Sequence, residues 1–230
     1  MRTLIIPDIH NQTENADHWL NTQKYDRVVF LGDYFDHFGD NVNDVRLTAL
    51  WLRERMKRRD DIFLLGNHDA AYLFRNSANF YCPGFTQAKA NGIHEILSPE
   101  HWNRFQLAHA EQGWLMSHAG IHPSWIKNPD IDQILERCRL AMNRAKNGAL
   151  DPLFGWGIDR GGSQPFGGPL WMDWGSLIPI SGINQVVGHT PGSDVRTNNT
   201  DSSLNLCLDV QYASRAALLD GGSLNVLKRD

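Results

Sequence analysis

Apolar residues recur along this chain in short runs, and nearly every run stops at a residue carrying a donor atom. The stretches "RTLII" (2–6), "RVVFL" (27–31), "DIFLL" (61–65), "GWLMS" (113–117) and "NQVVG" (184–188) predict buried strands. A later set, "LNLCLDV" (204–210), "RAALLD" (215–220) and "SLNVLK" (223–228), is joined by tight-turn signals such as "DGG" and predicts antiparallel hairpins. Helical periodicity is clearest over 41–59, where Val45, Ala49, Leu52 and Met56 share one face. A second helix is expected after Ser98-Pro99, an N-cap and first-turn pair, and a third after Asp130. Strand, helix, strand in succession implies parallel pairing with right-handed crossovers. The expected fold class is α/β, with mixed β-sheets in a two-layer or sandwich-like arrangement flanked by helices.

Composition narrows this picture. With 230 residues, 41% hydrophobic, and no internal repeat, the simplest organisation is a single domain over 1–230. A formal charge of -4 supplies no basic field for a polyanion, and the densest cluster, "RERMKRRD" (53–60), reads as the solvated face of a helix, so nucleic acid is not an expected partner. Three cysteines, Cys82, Cys138 and Cys207, are odd in number and lack metal-type spacing, which argues against a disulfide framework or thiolate zinc site. With no leader-like segment and no apolar stretch of membrane-spanning length, the expected location is cytoplasmic, without a membrane partner. The longest irregular stretch, 147–175, is dense in Gly, Pro and Trp and predicts an insertion or lid, in which Trp156, Trp171 and Trp174 could form an aromatic wall.

The chemistry lies where the apolar runs stop. "LIIPDIH" ends in Asp8 and His10; "VVFL" leads into "GDYFD" with Asp33 and Asp36; "IFLL" leads into "GNHD" with Asn67 and His68; "WLMS" leads into "HAG" with His118; "QVV" leads into "GHT" with His189. Ligands of open α/β sheets bind outside the carboxyl ends of the strands, so Asp8, His10, Asp33, Asn67, His118 and His189 are expected on one rim. Two carboxylates, three imidazoles and an amide crowded together would repel and lose hydration, a penalty that cations remove. Six mixed N/O donors without thiolate suit two ions sharing a carboxylate. They point to manganese, iron or zinc rather than calcium.

This ordered set, D-x-H, G-D-x-x-D, G-N-H-D, H-A-G and G-H-T, resembles the calcineurin-like metallophosphoesterases, in particular the branch of serine/threonine protein phosphatases and diadenosine tetraphosphate hydrolases. It spans residues 8 to 189, and the terminal "NLCLDVQYASRAALLDGGSLNVLK" is similar to that family's closing strands. The resemblance implies that Asp8, His10 and Asp33 bind one ion and that Asp33, Asn67, His118 and His189 bind the other, with Asp33 between them. The cofactor expectation is two divalent or trivalent ions, manganese first. The expected reaction is phosphate monoester hydrolysis by a metal-bridging hydroxide, with His68 as general acid and Asp36 orienting it. Diadenosine polyphosphate or nucleotide hydrolysis is the alternative, and a noncatalytic binding scaffold is the alternative of another class. The expected partner is a phosphoprotein or small phosphoester. His37 and Leu65 stand where protein phosphatases carry two phosphate-binding arginines, and Asp69 where they carry glutamate. Arg160 in "GWGIDRGG", or Arg196, is the replacement candidate. Trp171 in "LWMDW", similar to the family's Leu-Trp segment, is the candidate aromatic contact to substrate. His37 and His122 are also close by sequence.

Overall fold

The computed structural model describes residues 1–127 and 129–229. The chain first alternates strand and helix through β1 (Arg2–Ile6), α1 (Thr13–Thr22), β2 (Arg27–Phe30), α2 (Val42–Arg55) and β3 (Ile62–Leu64). Three helices follow, α3 (Asn67–Leu73), α4 (Gln87–His94) and α5 (Pro99–Trp102), before β4 (Phe105–Gln106). Beyond them come the hairpin β5 (Ala108–Glu111) and β6 (Trp114–Ser117), then α6 (Ile131–Lys146). The closing strands are β7 (Asn184–Val187), β8 (Arg196–Thr197), β9 (Asn205–Cys207), β10 (Arg215–Asp220) and β11 (Ser223–Lys228).

Two mixed sheets result. In the first, ordered β11-β10-β1-β2-β3-β4, strands β1 to β4 are parallel and the β10–β11 hairpin joins β1 antiparallel. In the second, ordered β5-β6-β7-β9-β8, the central β6, β7 and β9 are parallel. Strand alternation then sorts the layers. Ile5, Val29 and Leu64 leave one face of the first sheet and cluster with Trp114, Met116, Val186 and Leu208 from the second. Leu4, Ile6, Val28, Phe30 and Phe63 leave the other face for Trp19 of α1 and Val45, Ala49 and Leu52 of α2. Leu115, opposite in phase to Trp114 and Met116, belongs to the cluster holding Ile134, Cys138, Ala141 and Met142 of α6. The layers are helix, sheet, sheet, helix, the sandwich form of the expected α/β class.

The expected helices differ in extent. Helix α2 stops at Arg55, not 59, because the chain turns so that Arg55 and Arg58 can pair with buried Asp61 at 2.7 and 3.3 Å. Part of the basic cluster is therefore a structural clasp, not a solvated helix face. The helix after Ser98 is a single turn, since Arg104 swings away to donate to the carbonyls of Arg58, Arg59 and Asp61 and Phe105 already pairs with Phe63. Asp130 caps α6 as expected, accepting from Asp132 and Gln133 N–H at 2.8 and 3.2 Å. Among the described residues no helix is long and apolar enough to cross a membrane.

Candidate active site

The donor residues follow the carboxyl ends of β1, β2, β3, β6 and β7, and the two sheets bring those ends to a common rim. Asp8 and His10 leave β1, Asp33 leaves β2, Asn67 opens α3, and His118 and His189 follow β6 and β7. One oxygen of Asp33 lies within 4.8 Å of donor atoms of Asp8 and His10, and one within the same reach of His118 and His189. Asn67 Oδ1 is 3.0 Å from His118 Nε2 and 2.9 Å from His189 Nδ1. All six residues proposed from the sequence are thus brought together.

The backbone there is bent into conformations that L-residues rarely adopt. His10, Asp33, Asp36 and His189 have φ of 46°, 49°, 65° and 68°, each costing about 1–3 kcal/mol unless its surroundings hold it. Asp69 supplies much of that hold. Its buried carboxylate accepts from the N–H groups of Asp33 (2.7 Å), Tyr34 (2.9 Å) and Gly66 (2.9 Å), pinning the turn after β2 to the turn after β3. His189 N–H donates to Asp8 at 2.9 Å, joining the sheets. Two glycines are required by this closeness: a Cβ on Gly66 would overlap Asp33, and one on Gly188 would overlap Asp8 Oδ2.

Electrostatics make the cluster complementary to cations. Burial pushes the Asp8 carboxyl well up, with neighbouring Asp209 adding to it; burial does the same to Asp33, with Asp69 and Asp8 adding. Burial and then His68 pull His10 down to about 4, burial pulls His118 down to about 3, and burial with His118 and Arg160 lowers His189. The imidazoles are therefore neutral near pH 7. His118 Nδ1–H donates to Leu31 O at 3.0 Å, which leaves Nε2 a lone pair. That lone pair faces Asn67 Oδ1 at 3.0 Å and Asp33 Oδ2 at 3.5 Å, acceptors all. His10 Nδ1–H likewise donates to Asp36 O at 2.6 Å, turning Nε2 toward Asp33. His118 Nε2, His189 Nδ1, Asn67 Oδ1 and Asp33 Oδ2 converge within 2.9–3.5 Å in a buried N/O donor set of the kind a metal ion satisfies, so these residues fit the metal the sequence implies.

Beside them, His68 and Asp36 pair at 3.0 Å through Nδ1 and Oδ2, leaving His68 Nε2 outside that pair. Tyr72 O–H and Lys89 Nζ both hydrogen-bond Asp36 Oδ1. Burial alone would raise the Asp36 carboxyl, yet hydrogen bonds from His68 and Tyr72 lower it below the usual range. Cys82 lies within ligand reach of this pair, but burial and the surrounding carboxylates push its thiol up, so it brings no thiolate.

The remaining candidates separate. Arg160 donates to Thr190 Oγ1 at 2.8 Å and pairs with Asp173 at 2.9 Å, while its Nε is buried without a partner. Arg196 donates to Thr190 O and contacts Cys207 Sγ at 3.2 Å. The Arg160 charge is among those that lower His118 and His189. Trp171 is 8% exposed, packed on Trp156 at 4.2 Å with its edge to His189 at 5.9 Å, the packing of a wall behind a histidine rather than of an open stacking platform. His122 caps a turn through Ser124 and stacks on Phe166, and His37 packs on Tyr212. Within 147–175, Leu153, Phe154, Leu170 and Met172 are buried, and Ala119 N–H donates to Pro169 O at 2.8 Å, so much of that segment is anchored.

Sequence reasoning gave no role to Asp69, Lys89, Tyr72 or Asp209. Asp209 had a signal: a carboxylate closing the apolar run "LCLD" after β9, on the same rim as His189 after β7. Burial raises its carboxyl to about 6, while Arg196 and Arg160 draw it down.

A search of curated proteins gives no match. Among solved structures the fold is similar to a cold-active protein-tyrosine phosphatase of a psychrophilic Shewanella sp., at 18% identity over 99% of this chain and 80% of the other, with TM-score 0.61. It is also similar to a protein serine/threonine phosphatase from Saccharomyces cerevisiae, at 14% identity over 100% and 80%, with TM-score 0.52. Likeness at such identities speaks for the fold. The sequence itself matches the calcineurin-like phosphoesterase profile over residues 1–193, which takes in both sheets' donor-bearing turns. On that match the chain belongs to the calcineurin-like phosphoesterases, metal-dependent hydrolases of phosphoric esters.

Proposed function

We propose that this protein is a dinuclear phosphomonoesterase, with Asp8, His10 and Asp33 holding one ion and Asp33, Asn67, His118 and His189 the other. The observation that supports it is the position of Asp33, whose carboxylate lies within ligand reach of both donor groups. Oxygen and nitrogen donors suit manganese, with iron or zinc as alternatives. When bound, the ions supply Lewis acidity to the phosphoryl oxygens and make a water at the site acidic enough to serve as nucleophile near neutral pH.

The chain's own groups do the rest. Asp36 accepts the Nδ1 proton of His68 and so fixes which nitrogen faces outward; with the ring doubly protonated, as the imidazolium that Asp36 balances, Nε2–H delivers its proton to the departing oxygen and leaves the neutral Nδ1–H imidazole. Lys89 and Tyr72 hold Asp36 from the other side, so the imidazole keeps one orientation. Arg160, with a buried Nε still to be satisfied, takes a phosphoryl oxygen in place of the arginines absent at positions 37 and 65. Phosphorylated protein side chains or small phosphoesters are the substrates.

Metal-stripped protein reconstituted with manganese should bind two ions per chain and hydrolyse an aryl phosphate in a chelator-sensitive way. Asp33→Asn should lose both ions and Asp8→Asn mainly one. Fewer than one ion per chain, turnover that survives chelation, or equal metal losses in the two variants would refute the assignment.

A further inference from the structure

His68 also walls a second space, a cavity of about 430 Å³. Asp36, Phe38 and Asp40, between β2 and α2, and Gly84, Thr86 and Lys89, around the start of α4, are among its lining residues. If His68 protonates the leaving oxygen, the leaving group departs past His68, and this cavity is where its body has room.

The charges around the cavity restrict what that body can be. Lys89 is the one cation in the lining apart from the histidines, and its ammonium is spent: Nζ donates to Asp36 Oδ1 at 3.1 Å, to Gly84 O at 3.0 Å and to Asp40. Three N–H groups for three acceptors leave none for a ligand. Asp40 is further occupied by Asn11 Nδ2 at 2.7 Å. Asp36 and Asp40 stand against the Lys89 ammonium and the proton that His68 carries as the acid, so the lining offers no net positive charge. A leaving group that itself carries phosphate, as in a dinucleoside polyphosphate, would meet the Asp36 and Asp40 carboxylates and an ammonium with no N–H left for it. Facing these polar groups stands Phe38, 96% exposed on its turn. A ring left wholly in water gains when another apolar body covers it.

We propose that this cavity is a leaving-group subsite selecting aryl phosphate monoesters with an uncharged ring, the phosphotyrosine side chain being the protein form, and that Phe38 is its specificity-determining contact. This rests on the phosphomonoesterase reading above. Arg160 and the metal ligands recognise the phosphoryl group that all monoesters share, whereas Phe38 meets the part that distinguishes one ester from another.

Three non-hydrolysable probes isolate this subsite: methylphosphonate, benzylphosphonate and 4-carboxybenzylphosphonate, titrated calorimetrically into the manganese-loaded full chain. Benzylphosphonate should bind about tenfold tighter than methylphosphonate, the value of a modest apolar contact. The carboxylated ring should lose that gain. Phe38→Ala, which removes an exposed side chain and so spares the fold, should bring benzylphosphonate to the level of methylphosphonate. In turnover, kcat/KM for phenyl phosphate should exceed that for diadenosine tetraphosphate, and Phe38→Arg should narrow the gap. Equal affinity for the methyl and benzyl probes, an undiminished benzyl preference in Phe38→Ala, or faster turnover of diadenosine tetraphosphate than of phenyl phosphate would overturn the subsite. Failure of the underlying reading looks different: no phosphonate binds and no ester is hydrolysed with metal present, which overturns both.

Discussion

Replacing Asp69 by asparagine keeps the side chain's shape and removes one of its acceptors. Oδ2 of Asp69 takes the N–H groups of Asp33 and Gly66, and Oδ1 takes that of Tyr34. Asparagine can keep its oxygen toward Asp33 and Gly66, but its NH₂ group then points at the Tyr34 N–H. Losing a charge-assisted hydrogen bond while leaving its donor buried costs about 2–4 kcal/mol. Part of this is returned, because Asp69 pushes the neighbouring Asp33 carboxyl up and the substitution removes that repulsion; one pK unit of relief is worth about 1.4 kcal/mol. The expected net loss is about 1–3 kcal/mol, read by urea unfolding of the metal-free protein through tryptophan fluorescence. Because Asp33 has left-handed backbone at φ 49° and is anchored by that same carboxylate, manganese affinity should fall as well. A variant within about 0.5 kcal/mol of the parent and with unchanged metal affinity would show that these hydrogen bonds do not hold the rim.

His68→Asn should retain metal and lose about 10²–10⁴-fold in kcat on an alkyl phosphate but much less on a nitrophenyl ester; an equal drop on both at full metal occupancy would exclude His68 as the acid, and Asp36→Asn should follow the same pattern more mildly. Arg160→Ala should weaken inhibition by inorganic phosphate about tenfold or more, and an unchanged inhibition constant would remove it from the phosphate site. Far from the rim, burial tends to raise Glu111, but hydrogen bonds from His109, Thr3 and Arg27 outweigh it and leave the carboxyl at about 2. A folded-state value depressed below the usual 4.5 gives stability that is present above that pH and lost as pH falls toward 2. Glu111→Gln should therefore flatten the stability profile in that window, and an unaltered profile from pH-dependent urea unfolding would refute the linkage.

Strands β1, β2, β3, β6, β7, β10 and β11 were legible because their apolar runs are short and end abruptly, and the donors because they stand at those ends; β4, β5 and β8 have no such run, and "LNLCLDV", expected in an antiparallel hairpin with the closing strands, instead gives β9, parallel to β7 and antiparallel to β8 in the other sheet. Asp8, Asp33 and His189 each needed only a position relative to a strand. Asp69 was not readable in the same way. Its neighbours in the chain make it one acid at the start of a helix, whereas its role is set by N–H groups of Asp33 and Tyr34, 36 and 35 positions away. Lys89 is similar, since its partners Asp36 and Asp40 lie 53 and 49 positions off. Helix α1 escaped notice for another reason: Gln12 makes no side-chain cap, and its buried residues are Ala16 and Trp19 in an otherwise polar stretch. Single-turn α5 shows the converse, a good local start signal overruled when Phe105 is needed in the sheet.

Because the rim draws on both sheets, the proposed ions would also act as a clasp. His189 already meets Asp8 across 181 positions of chain, and the cysteines found free, Cys82, Cys138 and Cys207, provide no covalent tie. Ions gripping Asp8 and Asp33 from one sheet and His118 and His189 from the other would fasten the layers at one end without a disulfide. Ligation of the native state at a thousandfold excess over Kd adds about 4 kcal/mol to stability. Melting temperature thus becomes a metal gauge that needs no substrate, and a screen of ions by thermal shift can rank them before any phosphoester has been identified.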